Sequence, residues 1–570
     1  MKLLGVLCAI CGCCLSAAAL DREAFTFTRY DLEVRIEPEQ QRLGVRGKVT
    51  LRNDSEAAQA NATLQISSTL NWSSIRLEGK PIEFISQTYA SDIDHTGALT
   101  EAIIALPRAV APKQTITLEI GYEGVIPQDT TRLTRIGVPS EVAKHTDWDQ
   151  IGASFTAVRG IGNVAWYPIA TEAANLSQGN SVLETVGRWK QREAEAEMKI
   201  NFAHSGDAVA GLSTLFCNGE GQFVRHEQMG RAYVSHSECT LRNLDSVVPL
   251  FVVGNFNAID RSGVNVSYLS DHKSQAEDYS LAVEEAAPLI NKWFGDHRVK
   301  PGLKAEVVEL PDRDAAPFES GNVLLIPLSG NQNAMLMSAI QQLTHSFFPS
   351  SRTWIRDGLA RYAQVSFVAD KEGRDAALEY LRNHRKALIE SEKLAPAEPN
   401  QAGHSLINSD DEFYVQSKAM NVWWMLRDMV GEDALSAALH NYKSGDDKSA
   451  DYIEKLVEAQ AHRDLAWFFD DWVYRDRGLP DFRIASVYPR ELVNGGYMVT
   501  VTVENTGQAA AEVPVTLKMT NGERAERLVV PGKSTASVRI VCPSFPQQAT
   551  VNDGSVLESD TNNNVYKIER

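Results

Sequence analysis

The segment Ile340-Gln341-Gln342-Leu343-Thr344-His345-Ser346-Phe347-Phe348 places Gln341 and His345 four residues apart. On a helix both lie on one face and could address a single metal ion. A carboxylate follows after 11 intervening residues: Asp357, within Trp354-Ile355-Arg356-Asp357-Gly358-Leu359-Ala360-Arg361-Tyr362. A histidine and a carboxylate are parts of a metal-activated hydrolytic centre. The parts here are deficient. Gln341 offers a neutral amide oxygen, a hard and weak donor to zinc. Gln342, an amide, has no usable proton affinity near neutral pH. His345 and Asp357 alone cannot close a tight zinc site, which takes three protein ligands and a water. The plainer assignments are a core histidine between Leu343 and Phe347 for His345, and an N-cap or first-turn acid for Asp357, on a helix starting near Trp354. Asp312, Asp314 and Glu319 gather acids upstream, a set that suits either a hard cation or a solvated loop. There is no G-x-S-x-G elbow and no phosphate loop.

Such residues need elements to position them. From Tyr30 to about residue 257 the pattern has period two: Tyr30, Leu32, Val34 and Ile36 alternate with polar residues, as do Ile116, Leu118 and Ile120. That predicts antiparallel sheets with one wet face. Beyond residue 257 the period becomes helical, with apolar steps of three and four over 274–294, 334–348, 354–369, 376–394 and 412–430, and shorter stretches over 451–461 and 465–474. After Pro480 alternation returns through Met498, Thr500 and Thr502, then Val513, Val515 and Leu517. The expected fold class is multidomain α+β. A β-rich N-terminal domain spans 20–257, a mainly helical middle domain 258–480, and an Ig-like β-sandwich 481–570.

Taken with Phe468-Phe469-Asp470-Asp471-Trp472-Val473-Tyr474 and Gly478-Leu479-Pro480-Asp481-Phe482-Arg483, the two central motifs resemble the M1 aminopeptidases, zinc enzymes of the gluzincin type. The hallmark of that family is H-E-x-x-H, followed by a Glu in a W-x-x-E-G-x-A-x-Y-like helix. The order of architecture is similar over nearly the whole mature chain. The resemblance implies a thermolysin-like middle domain, and position by position it implies loss. Gln341 stands at the first histidine, Gln342 at the catalytic base, His345 at the second ligand and Asp357 at the distant Glu, with a shorter gap than the family's. Glu319, in Ala316-Pro317-Phe318-Glu319-Ser320, corresponds to the G-x-M-E-N glutamate that holds a substrate's free amine, or is an ordinary loop acid. The oxyanion-stabilising tyrosine is Gln416 here, and Tyr414 lies two residues early, on nearly the opposite helix face. The reading is an M1-like protein with no catalytic residue and no metal expected, binding a peptide or protein partner in the former active-site groove. The alternative is an active zinc aminopeptidase with a non-standard site, with zinc as cofactor held by His345, Asp357 and a further ligand.

Composition narrows the partners. Hydrophobic residues make up 43% and charged ones 23%, an ordinary globular balance that excludes a largely disordered chain. Lys plus Arg number 56 against 74 for Asp plus Glu, a formal charge of −18, which repels nucleic acid and anionic membrane surfaces. No stretch approaches the roughly 18 consecutive apolar residues of a transmembrane helix. Lys2, an apolar run from Leu3 to Leu15 and Ser16-Ala17-Ala18-Ala19 read as a cleaved signal peptide over 1–19, hence a secreted or periplasmic protein. A lipoprotein reading through Ile10-Cys11-Gly12-Cys13 is atypical, because a second Cys stands two places before the lipidated one. Cys217 and Cys239 flank a hairpin-like stretch and either form a disulfide or stay as buried thiols.

Overall fold

Residues 20–569 are described by a computed structural model, apart from 179–180, 208–212, 222–223, 231, 243, 246, 296–304, 330, 349, 351, 395–404, 408, 410–411 and 476. Residues 1–19, read from the sequence as a signal peptide, therefore lie outside the described residues. In the strand Phe25–Glu37 the alternating Tyr30, Leu32, Val34 and Ile36 are buried, while Glu33 and Arg35 face water. This strand runs antiparallel to Arg42–Asn53 and parallel to Glu197–Asp207, near the centre of an eight-stranded sheet. A three-stranded sheet, Gln59–Ser67, Ala98–Val110 and Phe84–Ala90, shares its apolar core. Another, Thr214–Cys217, Phe251–Gly254 and Phe155–Val158, faces the next part of the chain.

Three short helices interrupt the strands of this half: α1 (Thr131–Arg135), α2 (Ser140–Thr146) and α3 (Ser181–Arg192). Two of them are too short to display a helical period, which is why alternation alone is legible there. Cys217 and Cys239 are joined as a disulfide between the small sheet and the strand Ala232–Leu241.

The middle part opens with a five-stranded sheet in the order Asn257–Arg261, Val264–Tyr268, Ala305–Glu309, Val323–Ile326, Phe318–Ser320. Phe318–Ser320 is the edge strand, antiparallel to its neighbour. The helices follow as α4 (Lys273–Phe294), α5 (Gln332–Phe347), α6 (Thr353–Glu372), α7 (Arg374–Leu394), α8 (Glu412–Val430), α9 (Glu432–Asn441), α10 (Tyr452–Ala461) and α11 (Ala466–Phe469), the last continuing as a π-turn over Asp470–Tyr474. The helical spans agree with the periodicity to within a few residues. The strands of this sheet have three to five residues, so the alternation of Val264, Val266 and Tyr268 is brief, and the apolar run 324–326 marks another strand in the sequence.

The C-terminal part is a sandwich of a three-stranded sheet, Phe482–Glu491, Tyr497–Asn505 and Ser534–Cys542, and a four-stranded sheet, Gly522–Val530, Ala511–Met519, Gln548–Val551 and Val565–Lys567. Its apolar interior is continuous with that of the helices, one cluster running from Val264 to Leu557. Across the junction the Trp472 indole donates to the Ala510 carbonyl at 2.8 Å, and Arg374 ion-pairs with Asp428 and with Asp553. Among the described residues no helix is long and apolar enough to cross a membrane.

Candidate functional site

α5 starts at Asn331, whose side-chain oxygen accepts the Ala334 N–H at 2.8 Å, as an N-cap should. Its apolar stripe, Met335, Leu336, Ala339, Ile340 and Leu343, is buried and leaves Gln341 and His345 on another face. α6 is pressed against α8. A Cβ at Gly358 would sit 2.5 Å from the Ala419 Cβ, so only glycine allows this approach. Next to it Trp354 stacks on Trp423, ring centres 5.2 Å apart. This contact sets the height of Asp357. Glu319 is set by its neighbour Ser320, whose hydroxyl accepts the Val248 N–H at 2.7 Å and the Asn218 amide at 3.0 Å.

These three elements bring four residues picked from the sequence together. His345 Nδ1 is 2.9 Å from Glu319 Oε1, and the Gln341 amide donates to Glu319 Oε2 at 2.8 Å. On the other edge of the ring, His345 Nε2 lies 3.3 Å from Asp357 Oδ1, an ion pair rather than an aligned hydrogen bond. Arg356 closes the row, its Nε 2.7 Å from Asp357 Oδ1 and a second guanidinium nitrogen 3.2 Å from Oδ2. The cluster is nearly closed to solvent, with His345 14%, Glu319 12% and Asp357 8% exposed.

Burial alone would push the His345 imidazole down. The charges of Glu319 and Asp357 and their bonds to the ring outweigh it and raise the group to about 9. Burial works against the Asp357 carboxylate too, but Arg356 and His345 hold it well below the usual range. At neutral pH two carboxylates thus face an imidazolium and a guanidinium, and charge balances without a metal.

His345 is therefore a charged bridge, not a satisfied core histidine between Leu343 and Phe347. Asp357 is not an N-cap or first-turn acid either. The N-cap of α6 is Arg352, the first turn holds no acid, and Asp357 lies a turn further in, paired across helices. Gln342 leaves the cluster. It is 2% exposed, donates to the Glu306 carbonyl at 3.2 Å and accepts from the Tyr279 hydroxyl at 3.4 Å. Gln416 accepts from Arg361 at 3.3 Å, while Tyr414, buried, accepts from Lys418 at 2.6 Å.

These donors do not fit a zinc ion. With Nδ1 facing Glu319, only Nε2 could address a metal, and the one carboxylate beside it, Asp357, is already held by Arg356, while the Gln341 amide nitrogen points at Glu319. Among the described residues the one group whose ligand atoms converge, all within 4.8 Å, is His145, Asp312 and Asp314. Glu319 is absent from that group because it turns toward His345. His145 Nδ1 lies 2.6 Å from Asp312 Oδ2, a bond that raises the imidazole above its ordinary value. With Trp148 and Phe155 the pair lines a cleft of about 200 Å³. Nothing in the sequence signals His145, which is 167 residues from its partner. The role of Arg356 was also not anticipated, although it adjoins Asp357.

No protein-family model matches the chain, and no curated protein matches it. In three dimensions it is similar to Legionella pneumophila aminopeptidase A, solved in complex with aspartic acid, with a TM-score of 0.59 and 10% sequence identity. The match covers 94% of this chain but 59% of that one, so this chain spans about three-fifths of its neighbour's length. At such identity the likeness concerns the fold. The chain has an aminopeptidase-like, multidomain α+β fold, and the likeness does not single out the M1 gluzincins.

Proposed function

We propose that this is an exported M1-aminopeptidase-like protein, divided at about residues 257 and 480, that binds a peptide or protein partner over the Glu319–His345–Asp357 cluster and does not hydrolyse it. One observation carries the reading: among the described residues Asp357, already held by Arg356, is the one ligand group beside His345 Nε2, where a catalytic zinc needs three protein ligands.

Three features support binding. Glu319 sits on an edge strand, the kind of element to which extended peptides add. Its carboxylate keeps some exposure, and an incoming ammonium could replace the Gln341 amide at Oε2. The fold is shared with an aminopeptidase. Secretion or a periplasmic location follows from the sequence at residues 1–19.

The test is metal analysis of the purified chain, with aminoacyl-anilide hydrolysis measured before and after a chelator. The expected result is no stoichiometric zinc at this cluster and no turnover. About one zinc per chain, with turnover lost in chelator, would favour the active enzyme with a non-standard site. Binding is tested by calorimetry with one short peptide bearing a free or an acetylated amine. The free form should bind more tightly, and Glu319→Gln should erase the difference.

A further inference from the structure

The group of His145, Asp312 and Asp314 differs from the Glu319–His345–Asp357 cluster in its charge. In the cluster two carboxylates meet an imidazolium and a guanidinium. Among the described residues no lysine or arginine pairs with Asp312 or Asp314. Lys144, which lines the adjoining cleft, is held instead by Glu141 at 2.9 Å. Two carboxylates therefore converge on one imidazole with no protein cation to balance them. The three ligand atoms, all within 4.8 Å of one another, come from two separate elements: His145 from α2 in the N-terminal part, the aspartates from the loop 310–317 in the middle part.

The backbone holds these elements together. The Ala316 N–H donates to the His145 carbonyl at 2.7 Å, and the Trp148 indole N–H donates to the Ala316 carbonyl at 3.0 Å. Within the loop the Asp314 N–H donates to Asp312 Oδ1 at 3.1 Å, while Oδ2 is turned to His145 Nδ1 at 2.6 Å. Ligands cis to one another on a metal at about 2.1 Å stand about 3 Å apart. The pair thus needs to open by only a few tenths of an ångström for an ion to replace the proton between them. The side chains are partly open to solvent, and the cleft of about 200 Å³ beside them has room for the waters that complete a coordination shell. We propose that His145, Asp312 and Asp314 bind a divalent transition metal, zinc being the probe of choice, which clamps α2 to the loop of the middle part. The imidazole favours zinc over calcium or magnesium, which take oxygen ligands. The site shares no residue with the Glu319–His345–Asp357 cluster, so it is independent of the function proposed above.

The experiment is calorimetric titration of the full chain, stripped with chelator, with zinc chloride and separately with calcium chloride. Zinc should saturate one site per chain, bind more tightly than calcium and raise the thermal unfolding midpoint. His145→Gln and Asp314→Asn should each weaken zinc binding at least tenfold, whereas His345→Gln should leave it unchanged. Asp314 is exposed, so its variant carries the test if His145→Gln does not fold. The chain has 12 histidines, and several weak sites with no saturable one would mean that zinc binds only adventitiously. Calcium binding as tight as that of zinc would remove the imidazole from the ligand set. Zinc binding lost in His345→Gln but kept in the other variants would place the ion at the Glu319 cluster. Each of these three results overturns the assignment.

Discussion

Replacing His345 with Gln should change not only the stability of the protein but the way stability depends on pH. In the folded chain the imidazole is raised from 6.5 to about 9. A basic group with a raised folded value binds its proton more tightly in the native state than in the unfolded one. Its contribution is therefore complete below about pH 6.5 and is lost as the pH rises through about 9. Two to three pH units at about 1.4 kcal/mol each give a contribution of about 3 kcal/mol. The assay is urea unfolding of wild type and His345→Gln at pH 6 and at pH 10, at one salt concentration. Lysines and tyrosines titrate in both proteins and cancel in the comparison, so the gap between them should shrink by about 3 kcal/mol. A gap that stays constant, or an imidazole signal titrating near 6.5 by NMR and missing from the variant, would refute the charged bridge. The balance of charge at the cluster would then have to be reconsidered.

Three further outcomes are expected. Gln341→His combined with Gln342→Glu should give no anilide turnover with added zinc, because residue 342 faces Glu306 and Tyr279 and, on the M1 resemblance, Gln416 stands where that family has its tyrosine, a loss worth roughly 10²–10³ in rate; recovered turnover would mean a further ligand lies elsewhere. Gly358→Ala should lower stability by about 1–3 kcal/mol in thermal unfolding, since its methyl would meet Ala419, and a stabilised variant would mean that α6 and α8 are not in tight contact. Glu193 is fully buried and raised to about 8 by that burial, against a weaker opposing pull from Arg192, so its effect on stability worsens as pH rises from about 4.5 to 8. Glu193→Gln should accordingly stabilise the chain by roughly 3–5 kcal/mol above pH 8 and by little below pH 4, as followed by urea unfolding.

The long helices of the middle part were legible because 16 to 22 residues display several turns of one apolar stripe, as in α4 and α5. Strands such as Phe318–Ser320 were not, since three residues show no period. The same contrast holds at the site. The M1 resemblance suggested Gln341, His345, Asp357 and Glu319 as a set, and the fold does gather them. What spacing could not show is how charges pair across elements. Glu319 admitted two readings, an amine anchor or a loop acid, and neither told of its bonds to Gln341 and His345. Arg356 could have projected away from Asp357; only the packed helix shows that it bends back to it. His145 meets Asp312 because α2 approaches the loop after Ala305–Glu309, a contact formed by tertiary packing alone.

The shared interior of the helices and the sandwich bears on how such a protein persists. The seam near residue 480 divides the chain by pattern, but Trp472 reaches across it to Ala510 and the apolar cluster runs through it without a break. Cutting there would leave each side with a bare apolar face, so the two should melt as one cooperative unit. A helical part whose chemical centre had fallen silent would still be needed as the other half of the sandwich's core. On the function proposed above, selection on folding alone could then preserve this body without any selection on catalysis.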